Sequence, residues 1–285
     1  MRSAMTSEPN ASPALPTVAF VGGGNMARSL IGGMVARGAE PSNIRVAEPN
    51  DATREALRAD FGVSVFREAH EAADGAAIWV FAVKPQVMRV VCNGMQAVAG
   101  AHPPLAISVA AGITSTQMKH WLGGSAAVVR SMPNTPALLG AGVTGLFASP
   151  EVSDEQRAQA DALLGAVGQT VWIDDEAQMD AVTAVSGSGP AYVFLLAEAM
   201  QAAGEAQGLP ADAARTLATH TLMGAARMLV ESGEPADVLR KRVTSPGGTT
   251  QAAIETFESG GLRTLVDDAV TAATRRGREL SAAND

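Results

Sequence analysis

Thr17-Val18-Ala19-Phe20-Val21 runs apolar into Gly22-Gly23-Gly24-Asn25-Met26-Ala27, and Leu30, Ile31, Met34 and Val35 then recur at helical spacing until Gly38. A short strand, a glycine-rich turn and a helix, in that order, open a parallel α/β unit. The alternation continues. Ile44-Arg45-Val46-Ala47 predicts a second strand, residues 51–60 a helix and Val63-Ser64-Val65 a third strand. Residues 76–83, 105–110 and 126–129 are further apolar runs, which suit strands covered on both faces. The pattern predicts an α/β chain with a doubly wound parallel sheet, extended by residues 143–147 and 170–173.

The second half reads differently. Ser153, followed three residues later by Gln156, suits the start of a helix. From about Glu176 onward no segment has strand character. Residues 190–207, 211–231, 247–259 and 262–282 show helical periodicity, punctuated by Gly208-Leu209-Pro210 and Ser232-Gly233-Glu234-Pro235. Residues 1–16 mix Ser, Pro and Ala without an apolar run and read as a flexible tail that lacks a signal-peptide core. The expected division is therefore a tail over 1–16, an α/β domain over 17–175 and an all-helical domain over 176–285. Helices this rich in Ala and Gly pack closely, and long helices without a compact core of their own complete it in a dimer.

Composition narrows the function classes. The 285 residues carry a formal net charge of −8, which argues against affinity for nucleic-acid phosphates or anionic lipid. A single Cys92 allows no intrachain disulfide framework and fits a reducing, cytoplasmic setting. The most apolar late stretch, residues 191–203, is too short to span a bilayer and contains Glu198. Any anion this acidic chain binds must be held locally.

Gly22 to Ala27 spell G-x-G-x-x-A between strand and helix, which is the dinucleotide-binding fingerprint. Gly22 makes the turn, Gly24 lets the pyrophosphate approach the backbone, and Ala27 is small enough for the helix to pack on the strand. The amides of Asn25 and Met26 then lie at a positive helix start. Glu48 closes the second strand, where a carboxylate accepts hydrogen bonds from a ribose 2′-hydroxyl and repels a 2′-phosphate. NADH is the direct reading of Glu48, but Arg45 and Arg54 stand close in sequence, so both NADPH and NADH remain open.

Ala82-Val83-Lys84-Pro85-Gln86 ends another strand, at the edge where α/β sheets bind ligands. Lys84 there is either beside a cofactor or a surface lysine on a rigid turn. Arg130-Ser131-Met132-Pro133-Asn134-Thr135-Pro136-Ala137 is either a stiff frame for the reacting groups or only a turn. Val243-Thr244-Ser245-Pro246-Gly247-Gly248-Thr249-Thr250 says more. Ser245 suits an N-cap, Pro246 a first helical turn, and the two glycines expose amides for an anion beside the Thr249 and Thr250 hydroxyls. Ala184-Val185-Ser186-Gly187-Ser188-Gly189-Pro190-Ala191 reads as a second Gly/Ser turn feeding a helix. His70, His102, His120 and His220 lack metal-ligand spacing, Cys92 reads as packing, and Asp174-Asp175-Glu176 as a solvated face.

Taken together and in order, the motifs at 22–27, 82–86, 130–137, 186–192 and 243–250 resemble the pyrroline-5-carboxylate reductase family over residues 17–280. The resemblance implies an N-terminal Rossmann-like domain followed by an all-helical dimerisation domain, with helices interleaved between subunits and dimers often assembling to decamers. It implies an NAD(P)H-dependent imine reductase that converts 1-pyrroline-5-carboxylate to L-proline. Ser245, Gly248 and Thr249 would hold the substrate carboxylate, Thr250 would hydrogen-bond the ring nitrogen, and Ala82, Val83, Lys84 and Pro85 would line the nicotinamide side. One departure stands out: where family members commonly place an Asn against the adenosine ribose, this chain has Ala69.

Two other readings compete. A β-hydroxyacid dehydrogenase has a similar layout, yet its chemistry resembles cases that use a lysine early in the helical domain. The only lysines here are Lys84, Lys119 and Lys241, and none follows Gly189 in that helix. A nucleotide-sensing module would have no use for the Ser245 to Thr250 segment.

Overall fold

The computed structural model describes residues 15–283, so the tail reading of residues 1–16 falls almost wholly outside it. Elements follow in the order β1 (Val18–Val21), α1 (Asn25–Ala36), β2 (Ile44–Ala47), α2 (Asp51–Phe61), β3 (Ser64–Phe66), α3 (Ala69–Ala73) and β4 (Ile78–Phe81). Next come α4 (Pro85–Gly94), α5 (Gln96–Ala101), β5 (Leu105–Ser108), α6 (Ser115–Trp121), β6 (Ala127–Met132), β7 (Gly142–Ala148), α7 (Asp154–Leu164) and β8 (Gly168–Trp172). All eight strands expected from the sequence are present. Helices α8 (Met179–Val182), α9 (Gly189–Ala206), α10 (Ala211–Glu231), α11 (Ala236–Arg242), α12 (Thr249–Ser259) and α13 (Leu262–Ala282) complete the described chain.

The sheet order is β3-β2-β1-β4-β5-β6-β7-β8. The first six strands run parallel, β7 lies antiparallel to β6, and β8 is parallel to β7. The reversal follows from chain length. Parallel neighbours need a crossover of a dozen or more residues, whereas only the short 3₁₀ turn Thr135–Leu139 and its flanks link β6 to β7. Strand order reverses at β1, between β2 on one side and β4 on the other, which opens a crevice at their carboxyl ends.

Apolar runs become strands because both faces are covered. Val18 and Phe20 of β1 join Leu30, Ile31, Val80 and Ile107 in one core cluster, while Ala19 and Val21 join Trp79, Phe81 and Met88 in the other. Each fully buried aromatic or aliphatic side chain contributes about 1.5–3 kcal/mol. Ser153 caps α7 reciprocally with Gln156: Gln156 N–H donates to Ser153 Oγ at 3.2 Å, and Ser153 N–H donates to Gln156 Oε1 at 3.0 Å.

Contacts divide the chain into two compact units, one ending at Gly187 and regaining the residues from Arg275 onward, the other Ser188–Thr274. In the second unit α9 pairs with α10, but α9 and α12 contain no buried residue; neither does α13, whose residues from Arg275 onward belong to the first unit. Tyr192, Val193, Phe194, Leu195 and Leu196 are all exposed. No helix among the described residues is long and apolar enough to cross a membrane.

Two local expectations need correction. Ser245 is not the N-cap of α12. Gly247 takes φ +68°, a left-handed turn that L side chains avoid, so the helix begins only at Thr249 with Gly248 as its N-cap. The Gly/Ser segment 184–191 does feed a helix, but it is not a turn throughout: Thr183–Gly187 form a π-helical turn, and α9 already begins at Gly189.

Candidate functional site

The glycine-rich turn sits at the crevice where strand order reverses. Gly22 has φ +99°, and a Cβ there would lie 2.8 Å from the Ala82 carbonyl oxygen, so β1 and β4 can close on each other only around a glycine. Gly23 is equally confined: a Cβ would meet Leu57 Cδ1 at 2.7 Å and Glu48 Cβ at 3.3 Å. Gly24 differs. It is the N-cap of α1, has no side-chain cap, and nothing lies within 4 Å of where its Cβ would be. In the first turn that follows, the amides of Asn25, Met26 and Ala27 have no hydrogen-bond partner among the described residues. Ala27 itself is buried in the core between helix and sheet.

Glu48 comes from the end of β2 and leans over this turn. Its Oε2 accepts from Gly23 N–H at 3.0 Å and its Oε1 from Asn50 N–H at 3.0 Å. Ala82 and Val83 are half-buried at the end of β4, with Val83 Cγ1 against the Gly22 position. Pro85 is the first residue of α4, and Lys84, its N-cap, is exposed. The structure thus brings Gly22, Gly24, Asn25, Met26, Ala27, Glu48, Ala82 and Val83 to one edge of the sheet. Open space at Gly24, free amides on a helix start and a neighbouring carboxylate fit a dinucleotide with its pyrophosphate at α1.

The motif 130–137 plays an internal part. Asn134 is buried; its Nδ2 donates to the Ser186 carbonyl at 3.1 Å and its Oδ1 accepts from Val143 N–H at 3.0 Å. Arg130 is buried as well, with Nη2 3.2 Å from Asp180 Oδ1 and Nη1 3.5 Å from Glu176 Oε1. Glu176 also accepts from Ser115 N–H at 2.7 Å and from Ser115 Oγ at 2.5 Å. The reading of Asp174-Asp175-Glu176 as a solvated face therefore fails at Glu176, because Arg130 and Ser115 claim its carboxylate. Burial pushes the Cys92 thiol up to about 12, so it stays protonated and packs as a small apolar group.

In the second unit, the segment before α12 is a turn that presents groups to solvent. Gly248 N–H donates to the Ser245 carbonyl at 3.1 Å, and Gly247 N–H donates to Gln251 Oε1 at 2.7 Å. The amides of Thr249, Thr250 and Gln251 lack partners among the described residues, as do the hydroxyls of Ser245, Thr249 and Thr250. A Cβ on Gly248 would approach Ser245 Oγ to 2.7 Å. Three unpartnered amides and three unpartnered hydroxyls thus stand at the positive end of an 11-residue helix, the donor set that a carboxylate-sized anion requires.

A doubly wound sheet with a dinucleotide-fingerprint turn at its crevice, followed by a helical region, defines a nicotinamide-dependent oxidoreductase class. A family described as pyrroline-5-carboxylate reductase dimerisation matches residues 176–280, and one described as NADP oxidoreductase, coenzyme F420-dependent, matches residues 17–112. The pyrroline-5-carboxylate reductase of Pseudomonas aeruginosa is 50% identical over 93% of this chain and 97% of its own length. The solved pyrroline-5-carboxylate reductase of Coxiella burnetii is 41% identical, with TM-score 0.91 over 94% of this chain and 99% of its own. The Plasmodium falciparum enzyme, solved with NADP bound, is 27% identical, with TM-score 0.81 over 94% and 98%. The chain belongs to the pyrroline-5-carboxylate reductase family.

Proposed function

We propose that this protein reduces 1-pyrroline-5-carboxylate to L-proline with NADPH or NADH, the closing step of proline biosynthesis. The observation that carries this reading is that one chain holds two helix starts with unpartnered amides, those of Asn25, Met26 and Ala27 for a pyrophosphate and those of Thr249, Thr250 and Gln251 for a carboxylate. Family membership supplies the substrate class. The functional division follows the same lines: residues 17–175 for the cofactor, residues 176–285 for substrate and dimerisation.

Gly22, Gly24, Asn25, Met26, Ala27 and Glu48 hold the dinucleotide, and Ala82, Val83, Lys84 and Pro85 line its nicotinamide side. Ser245, Gly248 and Thr249 hold the substrate carboxylate. Thr250 hydrogen-bonds the ring nitrogen and is the catalytic residue. The reduced nicotinamide, when bound, supplies hydride to the C=N carbon. A cyclic imine takes its proton near neutral pH, so these residues need to position rather than ionise, which is why no histidine is required.

The protein works as a cytoplasmic homodimer. The exposed apolar residues of α9 and the absence of any buried residue in α12 and α13 support a second copy completing that core. The family resemblance extends the assembly to a decamer. Steady-state assay of 1-pyrroline-5-carboxylate with each reduced cofactor tests the reading: substrate-dependent oxidation of either, with proline formed, supports it. Purified, folded protein that turns over neither pair contradicts it.

A further inference from the structure

The carboxylate of Glu48 is fixed rather than free. Gly23 N–H and Asn50 N–H each hold one of its oxygens at 3.0 Å, and its Cβ and Cγ lie against the Gly23 backbone. Each oxygen retains a lone pair for a further donor. The chain has two arginines nearby that could in principle answer a phosphate, and both are engaged. Arg54 Nη1 donates to the Glu48 carbonyl at 2.6 Å, and its Nη2 pairs with the Asp51 carboxylate. Arg45 Nη1 donates to the Asp74 carbonyl oxygen. The corner therefore presents the Glu48 carboxylate beside a guanidinium that is already paired with Asp51.

Resting on the dinucleotide reading above, we propose that Glu48, with Arg54 held by Asp51, makes this protein select NADH over NADPH. The two cofactors differ only at the adenosine ribose. A free 2′-hydroxyl donates to a fixed carboxylate, while a 2′-phosphate brings up to two negative charges to the same oxygens. Rotation of Glu48 out of the way would break two backbone hydrogen bonds and leave the Gly23 amide without its partner. Asn50, the N-cap of α2, and Asp51, its first residue, belong to the device because they hold Glu48 and Arg54 in place.

Fluorescence titration of the full-length protein with NADH and with NADPH tests this without turnover. Wild type is expected to bind NADH at least ~10-fold more tightly, the scale of one like-charge contact against one hydrogen bond. Glu48→Ser should reduce or reverse that ratio by a similar factor. Asp51→Ala, which releases Arg54, should tighten NADPH by several-fold. Should Glu48→Ser lose its native circular dichroism, Glu48→Gln, which keeps the length and removes the charge, is read in its place. Equal affinities in wild type, or a ratio unmoved by either Glu48 substitution, would overturn the inference. Binding of neither cofactor would instead overturn the dinucleotide reading beneath it.

Discussion

Arg130 and Asp180 form a buried ion pair, Nη2 to Oδ1 at 3.2 Å, with the two residues 4% and 7% exposed. It ties strand β6 to α8, the element that leads through the π-helical turn into α9. Removing one partner leaves the other charged and desolvated. Arg130→Ala is expected to cost about 3–5 kcal/mol in equilibrium denaturation, and Arg130→Lys to recover only part, since one ammonium cannot span both Asp180 and Glu176. A loss below about 1 kcal/mol would show that the pair is relaxed or hydrated.

Gly22 and Gly24 are expected to separate stability from binding. Gly22→Ala meets a left-handed φ and the Ala82 carbonyl, so it should destabilise the fold by about 1–3 kcal/mol. Gly24→Ala has free space and an ordinary φ of −69°, and should leave thermal stability within about 1 kcal/mol of wild type. Its methyl would occupy the pyrophosphate approach and weaken cofactor affinity ~10-fold or more. Unchanged cofactor affinity in Gly24→Ala would remove Gly24 from the site.

Thr250→Ala should lower kcat/KM for 1-pyrroline-5-carboxylate ~10- to 100-fold, the scale of one or two lost hydrogen bonds to the reacting ring. The Thr250 hydroxyl has no partner among the described residues, so stability and cofactor affinity should stay close to wild type. Wild-type turnover would sink its assigned role.

Phe194 and Leu195 are 61% and 66% exposed on a helix with no buried residue. If a second copy covers them, Phe194→Glu should shift sedimentation equilibrium from dimer toward monomer by more than ~100-fold in dissociation constant, about 2.7 kcal/mol or more. A wild-type protein that sediments as a monomer would contradict the dimer outright.

How far the sequence spoke depended on whether partners were local. Strands β1, β4 and β5 are legible because runs such as Val18-Ala19-Phe20-Val21 are apolar and buried on both faces, and the turn at Gly22 because strand and helix flank it. The Ser153–Gln156 cap was legible from a spacing of three. Helices α3, α6 and α11, of 5–7 residues, are too short for a periodicity to stand out. Glu176 looks solvated from its neighbours in sequence, because its partners Arg130 and Ser115 are distant, Ser115 by 61 positions. The start of α12 is not legible, because Ser245-Pro246 has the composition of a cap, while the positive φ of Gly247 is a property of the backbone and not of the letters.

The most direct test follows the hydride itself. The protein is given 1-pyrroline-5-carboxylate and reduced nicotinamide cofactor fully deuterated at its transferable position, and the product is analysed by mass spectrometry and NMR. The account predicts L-proline carrying one deuterium at the ring carbon of the former C=N bond. Oxidation of the cofactor with no deuterated proline would contradict it.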